Sequence, residues 1–346
     1  MQTKYWNVNE LHIDENYPAI KEAAEVLKNK EAVAFPTETV YGLGADATSE
    51  EAVDKIFQAK GRPADNPLIV HIGDVTQVKE LTTEIPEVAK KLMDKFFPGA
   101  LTVILESNGA CAHNVTAGLS TVGIRMPDHP VAIALLKACN LPVAAPSANR
   151  SGRPSPTTAK HVKDDLEGRI FGILDGGPTG IGLESTVVDC TGEIPVILRP
   201  GGVTKEELEE IVGTILVDPA LLDKEEKPKS PGMKYTHYAP NAPLWVINGD
   251  PKKIEQQIKS LQHEGKKVGV MGSEECIHEL KGVITKSYGS KNDVKDIARR
   301  IYDVLRSFNE EDVDIILAEA VPKNGVGVAV MNRLEKAASK ILITES

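Results

Sequence analysis

Two cations stand two positions apart, Lys60 and Arg62, where a helical pattern runs into the proline-fixed turn Pro63-Ala64-Asp65-Asn66-Pro67. A planar guanidinium suits bidentate contact with a phosphate, and a lysine adds a compact charge. The same pair also suits a helix C-terminus, where the macrodipole favours cations and Gly61 reads as a C-cap. Arg125 lies in the otherwise apolar run Thr121-Val122-Gly123-Ile124-Arg125-Met126. A buried guanidinium needs an anion, which is either a carboxylate of the protein or the carboxylate of a substrate. In Ala144-Ala145-Pro146-Ser147-Ala148-Asn149-Arg150, small residues leave room for a ligand, and Ser147 and Asn149 can bind phosphate or ribose oxygens. Ser155 follows in a proline-bracketed turn.

Three further stretches have the same character. Pro36-Thr37-Glu38-Thr39-Val40-Tyr41-Gly42-Leu43-Gly44 offers two hydroxyl donors, with glycines that permit close approach. His71 ends the apolar run 67–72. The stretch 175–189 sets four glycines before Glu184-Ser185-Thr186, and Leu198-Arg199-Pro200-Gly201-Gly202 adds another arginine at the end of a strand pattern. G-x-x-x-x-G-K-[ST] is absent, as is G-x-G-x-x-G before a helix, so a nucleotide would need a cradle of backbone N–H groups. Each stretch alone also reads as an ordinary polar turn. Together they place four cations, four hydroxyl residues and an asparagine at strand and helix ends, where open α/β sheets bind ligands.

The elements that must position these residues alternate as in an α/β protein. Helices are predicted over 17–29, from Ser49 as N-cap to Lys60, over 129–140, 157–167 and 204–212. Strands are predicted over 32–36, 67–72, 101–105, 121–126, 141–147, 169–175, 184–190 and 195–200. Residues 217–241 carry four prolines and little periodicity, which reads as a linker. Strands over 244–248, 267–271, 283–287 and 313–318 then alternate with helices over 251–263, 274–280, 291–306 and 325–341. That pattern predicts a small doubly wound domain with a parallel sheet. The expected domains are therefore 1–216 and 242–346, joined by 217–241.

With 346 residues the chain exceeds what one core usually serves. Its composition, 41% apolar and 26% charged, is that of a globular protein without a membrane span. The first residues lack the apolar stretch of a secretory signal, and no cysteine pair has zinc-ligand spacing, so a cytoplasmic chain with reduced thiols is expected. Net charge is −10, and all of it falls in residues 1–216, which hold 20 basic and 30 acidic side chains. This argues against a protein whose main work is nonspecific binding of nucleic acid. Any tRNA contact is expected to be weak or indirect.

The ordered set PTETVYGLG, KGRPxxNPL, GIRxP, APSAN, ESTVVD and LRPGG resembles the threonylcarbamoyl-AMP synthases. The resemblance covers essentially the whole chain, and the stretch 230–240 with the domain after it is similar to the long, two-domain form. It implies a YrdC-type catalytic domain with a twisted mixed sheet, followed by a smaller Rossmann-like domain. The implied reaction joins L-threonine, bicarbonate and ATP, with magnesium accompanying the nucleotide and no metal site of the protein's own. A separate transferase complex then passes the threonylcarbamoyl group to tRNAs reading ANN codons. The implied signature quartet is Lys60, Arg62, Ser147 and Asn149. Arg62, Asn66, Thr121, Ser147, Ser155, Arg199 and His237 would bind ATP. Thr39, His71, Arg125, the backbone of Ala145, and Ser185 would bind L-threonine, while Lys234 and Tyr235 would form a lid. A carbamoyl-adenylating domain of the hydrogenase-maturation type is the alternative enzyme, but the chain lacks the cysteines of its usual zinc modules.

Overall fold

The structure, a computed structural model, describes residues 2–8, 13–221 and 238–343. These residues pack as two compact units. The larger comprises those within 1–151, 155–180 and 184–221, and the smaller those within 152–154, 181–183 and 238–343.

The larger unit is built on eleven strands: β1 (Lys4–Asn7), β2 (Val33–Phe35), β3 (Gly42–Asp46), β4 (Ile69–His71), β5 (Leu101–Glu106), β6 (Thr121–Arg125), β7 (Val143–Ala144), β8 (Gly172–Asp175), β9 (Thr186–Asp189), β10 (Val196–Arg199) and β11 (Leu216–Val217). They lie in the order β1-β8-β2-β3-β7-β4-β6-β5-β9-β10-β11. The sheet is mixed. For example, β4 pairs with β6 in parallel and with β7 antiparallel, and β5 pairs with β6 antiparallel and with β9 in parallel.

Three strands depart from the sequence expectation, among them β11 at Leu216–Val217, where the linker was expected to begin. Gly42-Leu43-Gly44 reads in the sequence as a turn or as a place for a ligand to approach, and not as a strand. It is instead a buried central strand, and the glycines explain how. A β-carbon on Gly44 would lie 2.7 Å from both Phe35 and Val143, so only glycine lets the neighbouring side chains close over it. Residues 4–7 form an edge strand anchored by Trp6, whose ring fills the space over Gly172.

The helix Pro18–Lys28 has the amphipathic period, with Ile20, Ala23, Ala24 and Leu27 on its buried stripe. It packs with the helix Pro130–Cys139 over Phe35, Val143 and Leu174 of the sheet. Each fully buried Ile or Leu there contributes roughly 1.5–3 kcal/mol. Ser49 caps the helix Glu50–Lys60 as expected, and Gly61 closes it in the left-handed conformation at φ 61°.

In the smaller unit, β12 (Leu244–Ile247), β13 (Val268–Gly272), β14 (Ile284–Ser287), β15 (Ile315–Glu319) and β16 (Ala338–Leu342) form a five-stranded sheet. Its order is β14-β13-β15-β12-β16, with every pair parallel. The helix expected over 325–341 stops at Ala337, and Ala338–Leu342 turns into β16. Pairing beside β12 satisfies backbone groups at the sheet edge that a longer helix would leave open. Among the described residues, no helix is long and apolar enough to cross a membrane.

Candidate active site

Parallel pairing of β4 with β6 sets His71 beside Arg125 at the ends of both strands. Arg125 is buried, and three groups hold it. Its Nε donates to the Gly99 carbonyl at 3.2 Å, and its Nη1 donates to Thr39 Oγ1 at 2.9 Å. Its Nη2 lies 2.6 Å from Glu38 Oε1. The internal carboxylate that the sequence left open as a partner for Arg125 is therefore present, and it is Glu38. The contact is close but poorly directed, because neither Glu38 oxygen nor Arg125 Nη2 makes a hydrogen bond among the described residues.

The Thr37 and Thr39 hydroxyls form a one-way relay. Thr37 Oγ1 donates to the Val40 carbonyl at 2.8 Å, which spends its only proton. The 2.8 Å contact between the two hydroxyls must then run from Thr39 to Thr37. Thr39 accepts from Arg125 on its other side. In this arrangement Thr39 is a rivet for the guanidinium, not a donor to a ligand, and Thr37 is likewise spent.

His71 is buried, and its Nδ1 lies 3.3 Å from the Ile69 carbonyl. A carbonyl only accepts, so that contact places the proton on Nδ1 and leaves Nε2 an acceptor. Burial first, and the Arg125 charge second, push its pKa from 6.5 down to about 3. The unfolded chain thus takes up this proton before the folded one. The associated stability is full above 6.5 and is lost as pH falls from there toward 3. The imidazole carbon resonances of His71 are expected to show no titration between about pH 5 and 8. A midpoint near neutrality would contradict the assignment.

Lys60 turns inward from the helix end instead of projecting into solvent. Its Nζ donates to the carbonyls of Ser147 and, at 2.6 Å, Asn149. The macrodipole account of this lysine is therefore incomplete: the side chain ties the helix to the turn after β7. Within that turn the Ser147 hydroxyl donates to Asn149 Oδ1 at 2.5 Å, and Asn149 Nδ2 donates to the Arg150 carbonyl at 2.9 Å. Ala145 N donates to the Ile69 carbonyl and Leu43 N to the Pro146 carbonyl, which fixes the turn to β4 and β3. Arg62 reaches the carbonyl of buried Asn66 at 3.2 Å, so the proline turn folds back on its own cation.

On the other side of β6, Arg199 at the end of β10 donates to the Ser185 carbonyl at 2.9 Å and to Ser185 Oγ at 3.2 Å. Ser185 Oγ also lies 2.8 Å from Thr102 Oγ1 on β5. Gly201 allows the turn after Arg199 to close against this segment, since a β-carbon there would meet the Glu184 carbonyl at 2.3 Å. Ser155 is buried and donates to Glu184 Oε1 at 2.5 Å. Thr121 opens β6 opposite Glu106 and is partly exposed. The two sides of the site are joined at Gly99-Ala100, where Gly99 accepts from Arg125 and the Ala100 carbonyl accepts from Thr186 N.

One sheet thus brings together Lys60, Ser147 and Asn149 on one flank, Arg125, Thr39, His71 and Ala145 in the middle, and Arg199 with Ser185 on the other. Lys234, Tyr235 and His237, expected as lid and ATP contacts, lie outside the described residues. The sequence reading missed Glu38, Thr102 and Glu184 as contacts of these groups. Glu38 and Glu184 stand in the sequence as acidic residues inside the motifs, which was the available signal, and Thr102 left none; Glu184 is buried, and Glu38 is partly buried with both carboxylate oxygens enclosed. The four cysteines are free and buried, and burial pushes the thiols of Cys111 and Cys139 up to about 11.

Comparison with known proteins agrees along the chain. The Sua5, YciO and YrdC family model, described as Telomere recombination, matches residues 25–201. A model described as Threonylcarbamoyl-AMP synthase, C-terminal domain, matches residues 203–339. A threonylcarbamoyl-AMP synthase of Bacillus subtilis is 56% identical over 98% of this chain and 98% of its own length. One from Pyrococcus abyssi is 48% identical over 94% of this chain and 95% of its own. The crystal structure of P. abyssi Sua5 complexed with L-threonine superposes with a TM-score of 0.93 at 46% identity, covering 99% of this chain and all of that one.

Proposed function

The chain belongs to the threonylcarbamoyl-AMP synthase family, and we propose that it joins L-threonine, bicarbonate and ATP into threonylcarbamoyl-AMP and pyrophosphate. The observation that carries this reading is the sheet-end cluster described above. A buried arginine fit for a carboxylate stands between a Lys60–Ser147–Asn149 turn and an Arg199–Ser185 clasp, both fit for phosphate oxygens.

In the proposed reaction the amine of threonine takes up bicarbonate with loss of water. A carbamate oxygen then bonds to the α-phosphorus of ATP as the bond to the β-phosphate oxygen breaks. The carbamate is already anionic, so the step needs positioning and charge neutralisation more than a general base. Lys60, Arg62 and Arg199 supply fixed positive charge, and Asn66, Thr121, Ser147, Asn149 and Ser155 complete the nucleotide contacts. Magnesium would enter with ATP as part of the substrate and would add positive charge at the phosphates beside Lys60, Arg62 and Arg199. Arg125 takes the amino-acid carboxylate, with Thr39 as its rivet, and Ser185 and the backbone of Ala145 complete the threonine contacts. The lone pair on His71 Nε2 accepts the threonine hydroxyl. Valine leaves such an acceptor unpaired and is disfavoured for that reason.

The product goes to a tRNA threonylcarbamoyl-transferase complex in the cytoplasm. The charge of −10 favours hand-over through protein rather than through tightly bound tRNA. Pyrophosphate release from ATP tests the reading. It is expected only when both threonine and bicarbonate are present. Release with either one omitted, or no release with both, would count against it.

A further inference from the structure

Among the described residues, Arg125 Nη2 and both oxygens of Glu38 are buried and make no hydrogen bond, although Nη2 and Oε1 are only 2.6 Å apart. Two charges held this close with poor direction recover little of their desolvation cost, so the pair is a weak structural rivet. The other Arg125 donors are differently placed: Nε serves the Gly99 carbonyl and Nη1 the Thr39 hydroxyl, both with proper geometry. What remains is one under-used donor beside one under-used acceptor. Glu38 sits on the Gly180 side of this cluster. A β-carbon on Gly180 would meet only the main-chain carbonyl of Glu38, at 3.9 Å, so the backbone of the two segments is not tightly packed there. His129 is close enough to feel the Glu38 charge, but burial dominates and holds its pKa below the ordinary value. It therefore supplies no cation to satisfy the carboxylate near neutral pH.

A ligand with a carboxylate and an N–H cation on adjacent atoms would satisfy both groups at once, and a free α-amino acid is such a ligand. We propose that Glu38 is the ammonium anchor of the amino-acid site, receiving the α-ammonium of threonine while Arg125 receives its carboxylate. Threonine thus enters as the zwitterion, and its ammonium passes one proton to the adjacent Glu38 carboxylate before the amine takes up bicarbonate. Glu38 discriminates against acids that match its carboxylate and hydroxyl but lack the amine. This inference rests on the reading of Arg125 as the carboxylate anchor.

The test is titration calorimetry of the full-length protein with L-threonine and with its deaminated analogue, (R)-3-hydroxybutyrate. Wild type is expected to prefer threonine. Glu38→Gln is expected to weaken threonine by about tenfold or more, the worth of a hydrogen bond to a charged group, and to leave the analogue bound as well or better. Glu38→Asp, which keeps the charge, is expected to restore part of the preference. Threonine binding in Glu38→Gln as tight as in wild type, or tighter, would overturn the proposal, because Glu38 would then merely compete for Arg125. Equal loss of both ligands would also overturn it, since Glu38 would then only position the arginine. Arg125→Lys separates the premise: it is expected to weaken both ligands. If it weakens neither, the carboxylate assignment fails independently of Glu38.

Discussion

Lys60→Met is expected to lower the rate of pyrophosphate release about a hundredfold or more, with a much smaller change in ATP affinity. Charge on the phosphates is redistributed most in the transition state, so a fixed cation contributes more there than to the ground state, on the order of 2–4 kcal/mol. The structure adds a second consequence that the sequence could not supply. Lys60 Nζ donates to the carbonyls of Ser147 and Asn149, so the substitution also leaves buried acceptors without this donor. A stability loss of about 1–3 kcal/mol in denaturant is expected alongside the kinetic loss. Arg62→Met removes charge from the segment whose Asn66 carbonyl it reaches, and it is expected to lose rate as well. Wild-type rates in both variants would mean that neither cation serves the reaction.

Arg125→Met is expected to abolish measurable threonine binding and to cost the larger unit about 3–5 kcal/mol, because Glu38 would be left buried without its counter-charge. Combining it with Glu38→Gln is expected to recover most of the stability while threonine binding stays lost. This double substitution separates the two roles of the arginine. Recovery of binding with stability would show that Arg125 only neutralises Glu38. Failure to recover stability would show that the Gly99 and Thr39 hydrogen bonds, not the ion pair, dominate its structural contribution.

Regular amphipathic helices and apolar strands could be read from the sequence because their signal is local. The stripe of Ile20, Ala23, Ala24 and Leu27 is visible in spacing alone, as are the Ser49 cap and the Gly61 stop. The strand Gly42–Asp46 was not legible, because its stability comes from Phe35 and Val143 closing over Gly44 and not from its own propensity. The end of the last helix was lost for a similar reason: Ala338–Leu342 is decided by its pairing with β12, a partner nearly a hundred residues away.

The site divides in the same way. Cations and hydroxyls at strand ends were recognisable by type, and the ordered motifs identified the family they resemble. Their wiring was not recognisable. Nothing local says that Thr37 consumes its proton on Val40, so that Thr39 must donate to Thr37 and can only accept from Arg125, or that Glu38 lies against Arg125. The sequence did pose the right question of Arg125, an internal carboxylate or a substrate one. The structure supplies the first, Glu38, and the second is the substrate carboxylate proposed above.

The most direct test follows radiolabelled bicarbonate through the reaction with ATP and threonine. The account predicts that label appears in an AMP-linked product in equal amount with the pyrophosphate released. Pyrophosphate released with an unlabelled threonyl adenylate, or ADP and phosphate formed in its place, would contradict it.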